Sequence, residues 1–154
     1  MVLKYPQNVV FIVLILFNFP VINYGQEVDH WEMAVLNEDL WSYSLGNSSI
    51  QPEWKEEEFD AQQWQQGPGG FGYGDGDDNT IISNTLSVFI RTEFEIIDTS
   101  SITAYSLLAD FDDGFVAYLN GVEIARNNLG EPGIEPAYDD VAYTYHEAGL
   151  YQGI

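Results

Sequence analysis

The sequence predicts an all-β protein, an antiparallel β-sandwich, and three observations carry that expectation. Residues 41–45 and 87–96 alternate large apolar with polar or small side chains, the period of a half-buried strand. Asn120-Gly121 stands between two short apolar runs, a strong local signal for a hairpin. After the N-terminal apolar run, no segment sustains a helical period.

The chain opens with Lys4 as its one early charge, followed by the apolar run Val9-Val-Phe-Ile-Val-Leu-Ile-Leu-Phe17 and the breakers Asn18 and Pro20. That run is well short of the ~20 residues needed to cross a bilayer. Residues 1–25 therefore read as a secretory signal peptide cut near Gly25, which places the mature protein outside the cell or on its surface, with no membrane insertion after cleavage. Residues 26–40 form a mixed lead-in segment, and 41–154 form the β-sandwich module.

Within the module, Trp41-Ser42-Tyr43-Ser44-Leu45 reads as the first strand, ended by Gly46-Asn47-Ser48-Ser49. The last three residues also fit a glycosylation sequon, but turn chemistry accounts for them more directly. Trp54, Phe59 and Trp64 are spaced five residues apart, matching neither period, and are expected to pin a long loop onto the core. The stretch 67–78 holds six glycines and reads as an ordered turn-rich loop or a ligand loop lying outside any element interior. It lacks a following helix and a Walker lysine, which argues against a phosphate cradle.

Residues 87–96 are expected to put Val88, Ile90, Phe94 and Ile96 on one face, with Arg91, Glu93 and Glu95 on the other. A second apolar strand is expected over 102–111. Segments 115–119 and 122–126 then form the hairpin, with a type I′ turn setting Leu119 opposite Val122 and Ala117 opposite Ile124. Beyond Gly130 the pattern is loop-like, with a weak strand around 141–145. Five clear strands fall short of the roughly seven of a sandwich, so the module is expected to be truncated at its C-terminus.

The chain has no cysteine, which removes disulfides and Cys-based zinc sites. Its 25 acidic against four basic residues give a formal charge of -21, repelling nucleic acid and anionic membranes and leaving hard cations such as calcium as the natural ionic partners. Most of these carboxylates read as a solvated surface.

Trp64 with the glycine loop Gly67-Pro-Gly-Gly-Phe-Gly-Tyr-Gly-Asp-Gly-Asp-Asp78, and Asp112-Asp113-Gly114 leading into the hairpin that ends at Arg126, together resemble a galactose-binding-like jelly-roll module. The resemblance is to the N-terminal region of secreted bacterial proteins of the spore-coat-H (CotH) kinase-like family, over 41–153. It implies downstream domains of the same polypeptide as partners, with the kinase-like domain and the family's closing strand beyond Ile154. A second similarity, to PA14-type sandwiches, implies that an Asp-Asp pair at Asp112 and Asp113 binds calcium and through it a sugar. Turn chemistry explains Asp112-Asp113-Gly114 more directly, without a ligand.

Three functions follow as expectations. The first is a noncatalytic accessory or binding module for carbohydrate, with Trp64, Phe71 and Tyr73 as stacking rings and Asp112, Asp113 and Asn120 as hydrogen-bonding groups; Trp64 reads more as a core anchor, Tyr73 as the exposed ring. The second is a calcium-stabilised structural or adhesion module, with Asp75, Asp77, Asp78, Asp112 and Asp113 as candidate ligands. The third is glycoside hydrolysis by paired carboxylates, but His30 and His146 lie in no metal-ligand spacing and no nucleophile motif is present, so no catalytic residue is assigned. Expression of the whole chain in a secreting bacterial host is expected to yield an extracellular product whose N-terminus, read by Edman degradation, falls within a few residues of Gln26. A product starting at Met1 would remove the leader reading.

Overall fold

The computed structural model describes residues 2–3, 30–73, 76, 78–149 and 152–153. The rest of the expected leader lies outside the described residues. The chain is built from strands with two short 3-10 turns: β1 (Val2–Leu3), β2 (Leu40–Leu45), the turn Pro52–Lys55, β3 (Gln65–Pro68), β4 (Phe71–Gly72), β5 (Thr80–Ile81), β6 (Val88–Arg91), β7 (Glu93–Phe94), the turn Thr99–Ser101, β8 (Leu108–Ala109), β9 (Phe115–Leu119), β10 (Val122–Asn127) and β11 (Gln152–Gly153).

The first strand forms where the alternation predicts and becomes the centre of an antiparallel sheet in the order β3-β2-β6. Tyr43 pairs with Gln65 on one side and Ile90 on the other, while Ser42 pairs with Gln66 and Arg91. Because side chains alternate along a strand, Trp41, Tyr43 and Leu45 share one face of the sheet with Ile90, and Leu40, Ser42 and Ser44 share the other with Gln66, Phe89 and Arg91. On the first face Tyr43 is buried, its ring 5.1 Å from Phe71 and its hydroxyl donating to Gln65 Oε1 at 2.8 Å.

The second face is covered by the excursion between β2 and β3. Trp54 stacks on Trp64 at 6.4 Å and meets Phe89 and Tyr118 edge-on at 5.1 and 5.8 Å, and Phe59 meets Trp64 at 5.5 Å. Edge-to-face pairs of this kind add to the burial of large rings. The three evenly spaced aromatics thus do pin the long loop to the sheet. Arg91 completes the attachment: its Nη1 donates to the carbonyls of Trp54 (3.2 Å) and Phe59 (3.0 Å), and its guanidinium lies 5.3 Å from the Phe59 ring. Arg91 does lie on the face opposite Ile90, yet that face is dry at this point and Arg91 is only 3% exposed. Alternation assigns a residue to a face, and the excursion decides whether that face is wet.

The glycine-rich stretch is corrected, for Gly67 lies inside β3 and Gly72 inside β4. β4 runs parallel to β5, with Phe71 opposite Thr80. A Cβ at Gly67 would stand 2.4 Å from Thr80 Oγ1, so the glycine is what lets β5 cross closely, with Thr80 Oγ1 donating to the Pro68 carbonyl at 2.6 Å.

At the hairpin, Asn120 (φ 49°) and Gly121 (φ 78°) are both left-handed, as a type I′ turn requires, and Leu119 pairs with Val122. Ala117, however, pairs with Ala125, because a bulge after Glu123 inserts Ile124 as an extra residue. The strand expected over 102–111 shrinks to β8, which pairs with β11, and 141–145 forms no strand. β1 lies parallel to β7 as a two-residue pairing.

Loop 129–136 is held to β10 by one ion pair. Arg126 Nε and Nη2 each donate to Glu123 at 2.9 Å, while Nη1 reaches the Leu129 carbonyl and Nη2 the Ile134 carbonyl. The Arg126 guanidinium holds the Glu123 carboxyl below its ordinary value of 4.5. A lowered folded pKa stabilises the fold fully above the ordinary value, and that contribution disappears as pH falls through the folded value. Glu123→Gln is accordingly expected to cost about 1 kcal/mol at neutral pH and progressively less as pH falls below the ordinary carboxyl range, measured by urea unfolding at each pH. Arg91→Ala, which strips two carbonyls of their donor, is expected to cost about 3 kcal/mol in the same assay at neutral pH.

Candidate functional site

Where the excursion stops short of covering the sheet, an open groove of about 370 Å³ remains. Its floor is the polar row of the central sheet, Gln66, Ser42 and Arg91, which the register places side by side across three strands. The loop residues Phe59, Asp60, Ala61 and Gln62 line it as well, together with Thr92, Glu93 and Leu40. Asp60 Oδ1 accepts the Gln62 backbone N–H at 2.9 Å, so the loop wall is ordered by its own turn.

Arg91 sets the electrostatics. Burial pushes its pKa down, Glu93 pulls it back up, and a guanidinium stays charged under either influence. Its Nη2 lies 3.5 Å from Glu93 Oε1, an ion pair outside hydrogen-bonding geometry, and has no hydrogen-bond partner among the described residues. The Glu93 side chain is 53% exposed, so a half-wet carboxylate stands over a dry cation at the edge of the groove. The lining offers amide and hydroxyl groups that both donate and accept, two carboxylates that accept, and one aromatic ring. That set suits a ligand with many hydroxyls.

The residues singled out from the sequence are not brought together. Phe71 packs against Tyr43 on the opposite face of the sheet, and Trp64 is half-buried in the aromatic cluster. Tyr73 is 47% exposed just past β4. Asn120 is at the hairpin tip, where the Gly121 N–H donates to the Lys55 carbonyl, and Asp112 and Asp113 are at its base, roughly 20 Å away along β9. Asp78 is half-buried beside Gly72, where a Cβ would meet its carboxylate at 2.1 Å. Asp75 and Asp77 lie outside the described residues. Among the described residues, no three His, Asp or Glu side chains gather in a metal-holding group.

Asp113 joins the hairpin base to the segment after it. Its Oδ1 accepts the His146 N–H at 2.7 Å, and its carbonyl accepts Asn128 Nδ2 at 2.9 Å. Asn128 Nδ2 also donates to the Thr144 carbonyl, while Oδ1 accepts the Thr144 hydroxyl (2.9 Å) and N–H (3.2 Å). His146 stacks on buried Phe111 at 4.3 Å and meets the Phe111 carbonyl through Nδ1 at 3.0 Å; a carbonyl only accepts, so Nδ1 carries the proton. Segment 143–146 is thereby docked by side chains instead of by a sheet ladder.

Fold and groove together define the class: an all-β protein with an open polar groove on the face of its central sheet. No protein-family model matches the chain, and it matches no curated protein and no solved structure.

None of the groove residues figured among the sequence candidates. Two signals pointed to them: the glutamine pairs at 62–63 and 65–66, and the presence of an arginine in a chain with so few cations. Asn128 has φ 56°, so glycine there removes the side chain without backbone strain. Asn128→Gly is expected to speed hydrogen exchange at the Thr144 and His146 amides at least tenfold while leaving the β2–β6 amides protected, measured by NMR.

Proposed function

We propose that this chain is a noncatalytic accessory module of an exported polypeptide, a galactose-binding-like jelly-roll sandwich that contacts carbohydrate. The observation that supports this most is the groove on the sheet face, where Gln66 and Ser42 stand with Gln62 and Thr92, and the buried Arg91 lies next to Ser42 in the register. Sugars are recognised by such convergent donors and acceptors together with an apolar or aromatic contact, here Phe59 and Leu40. Glu93 is tied to Arg91 and Asp60 to its own loop, so both carboxylates serve to hold the groove in shape.

The resemblance to the CotH kinase-like family supports placing such a module ahead of other domains in a secreted or cell-surface protein. In that setting a weak, open site is useful, because attachment to a polymer multiplies modest affinities.

The test is affinity electrophoresis of the whole chain through gels containing a panel of neutral polysaccharides, with the same mixtures assayed for reducing ends. Retardation by at least one glycan, at a Kd of about 1 mM or tighter and with no reducing ends released, is the expected result. Release of reducing ends would move the reading to glycoside hydrolysis, and no retardation by any glycan would end it.

A further inference from the structure

Resting on the carbohydrate reading above, we infer that the groove selects by charge: it takes a neutral sugar through its vicinal hydroxyls and rejects uronic acids. The selection comes from where the carboxylates stand. Asp60 and Glu93 both line a space of about 370 Å³, so a sugar seated on Gln66 and Ser42 lies against two negative charges. A sugar hydroxyl donates to a carboxylate, whereas the carboxylate group that a uronate adds is repelled by it.

The one positive charge in the groove does not offset this. Arg91 is 3% exposed, its Nη1 is committed to the carbonyls of Trp54 and Phe59, and its Nη2 lies beneath Glu93. A uronate would have to displace Glu93 to reach that nitrogen. Arg91 thus acts from below, holding Glu93 at the wall, and the charges that meet the ligand first are negative.

Two sources of discrimination must be separated, the groove carboxylates and the charge of -21 on the whole chain. At an ionic strength of 0.15 M the screening length is about 8 Å, so distant charges are damped while groove charges in contact with the ligand are not. Isosteric variants make the distinction. Asp60→Asn and Glu93→Gln together keep the side-chain shapes and remove two charges from the groove. Glu32→Gln and Asp139→Asn together remove two charges from exposed positions that do not line it.

The experiment is affinity electrophoresis of the whole chain at 0.15 M salt, in gels containing either a neutral polysaccharide that retards it or a polyuronate. Wild type is expected to be retarded by the neutral polymer and at least tenfold less by the polyuronate. The D60N/E93Q variant should gain roughly tenfold in polyuronate binding and E32Q/D139N should gain none. Gln62→Ala with Gln66→Ala should weaken neutral binding about tenfold. Neutral binding that survives the glutamine variant would overturn the groove assignment while leaving carbohydrate binding in place. Equal gains in the two charge variants would assign the discrimination to the whole molecule and overturn the inference. Wild type that binds no polysaccharide at all would overturn the parent reading and this one with it.

Discussion

The attachment of the 52–64 excursion to the central sheet is the constraint on which the rest of this structure depends, and Arg91 is the group that enforces it. Aromatic burial supplies most of the adhesion, since Trp54, Phe59 and Trp64 meet Phe89 and Tyr118 in one cluster. Hydrophobic contact has no direction, however, and rings alone would let the loop slide. The guanidinium donates to two carbonyls at different points of the loop, those of Trp54 and Phe59, and so fixes its position relative to Ser42 across the sheet. A lost donor would leave both carbonyls buried and unpaired, which costs more than the bonds themselves are worth.

The same device recurs wherever a loop must be held. Lys55 Nζ donates to the Pro52 carbonyl (2.7 Å) and to Glu135 (2.6 Å), joining the first 3-10 turn to the loop after β10, and Arg126 gathers Glu123 with two carbonyls of that loop. Each Lys and Arg among the described residues is therefore occupied in holding a loop or turn in place. In a chain with 25 acidic residues, any cation has carboxylates within reach. What distinguishes these three is that each also collects at least one backbone carbonyl, which fastens loops whose own turns are closed by local hydrogen bonds.

The parts of the fold that were legible in the sequence are those whose cause is local. Asn120-Gly121 predicts its turn because two consecutive positive φ values are needed there and these residues adopt them. The alternation at 41–45 predicts β2 because Trp41, Tyr43 and Leu45 fill one face. Apolar content misled at 102–111, where a strand needs a partner as well as a propensity and only Leu108–Ala109 finds one. The inserted Ile124 was invisible because a bulge answers to the packing of the whole hairpin. Candidate site residues were chosen for their chemistry, and the structure distributes them between two sheet faces and the two ends of β9. The groove was missed because its defining group, Arg91, sits on the face that alternation labels as solvent.

The groove and the core are consequences of one register. If β2 moved by a single residue against its neighbours, Tyr43 would exchange faces with Ser42, and both the burial of Tyr43 against Phe71 and the polar floor would be lost together. The excursion places Trp54 against Phe89, and its turn at Asp60 and Gln62 lines the groove together with Leu40. A surface derived in this way is rigid before any ligand arrives, since its floor is sheet and its wall is held through Phe59 by Arg91. Rigid polar floors spend little of their interaction energy on ordering themselves, which is what a small open groove needs if it is to hold a solvated ligand.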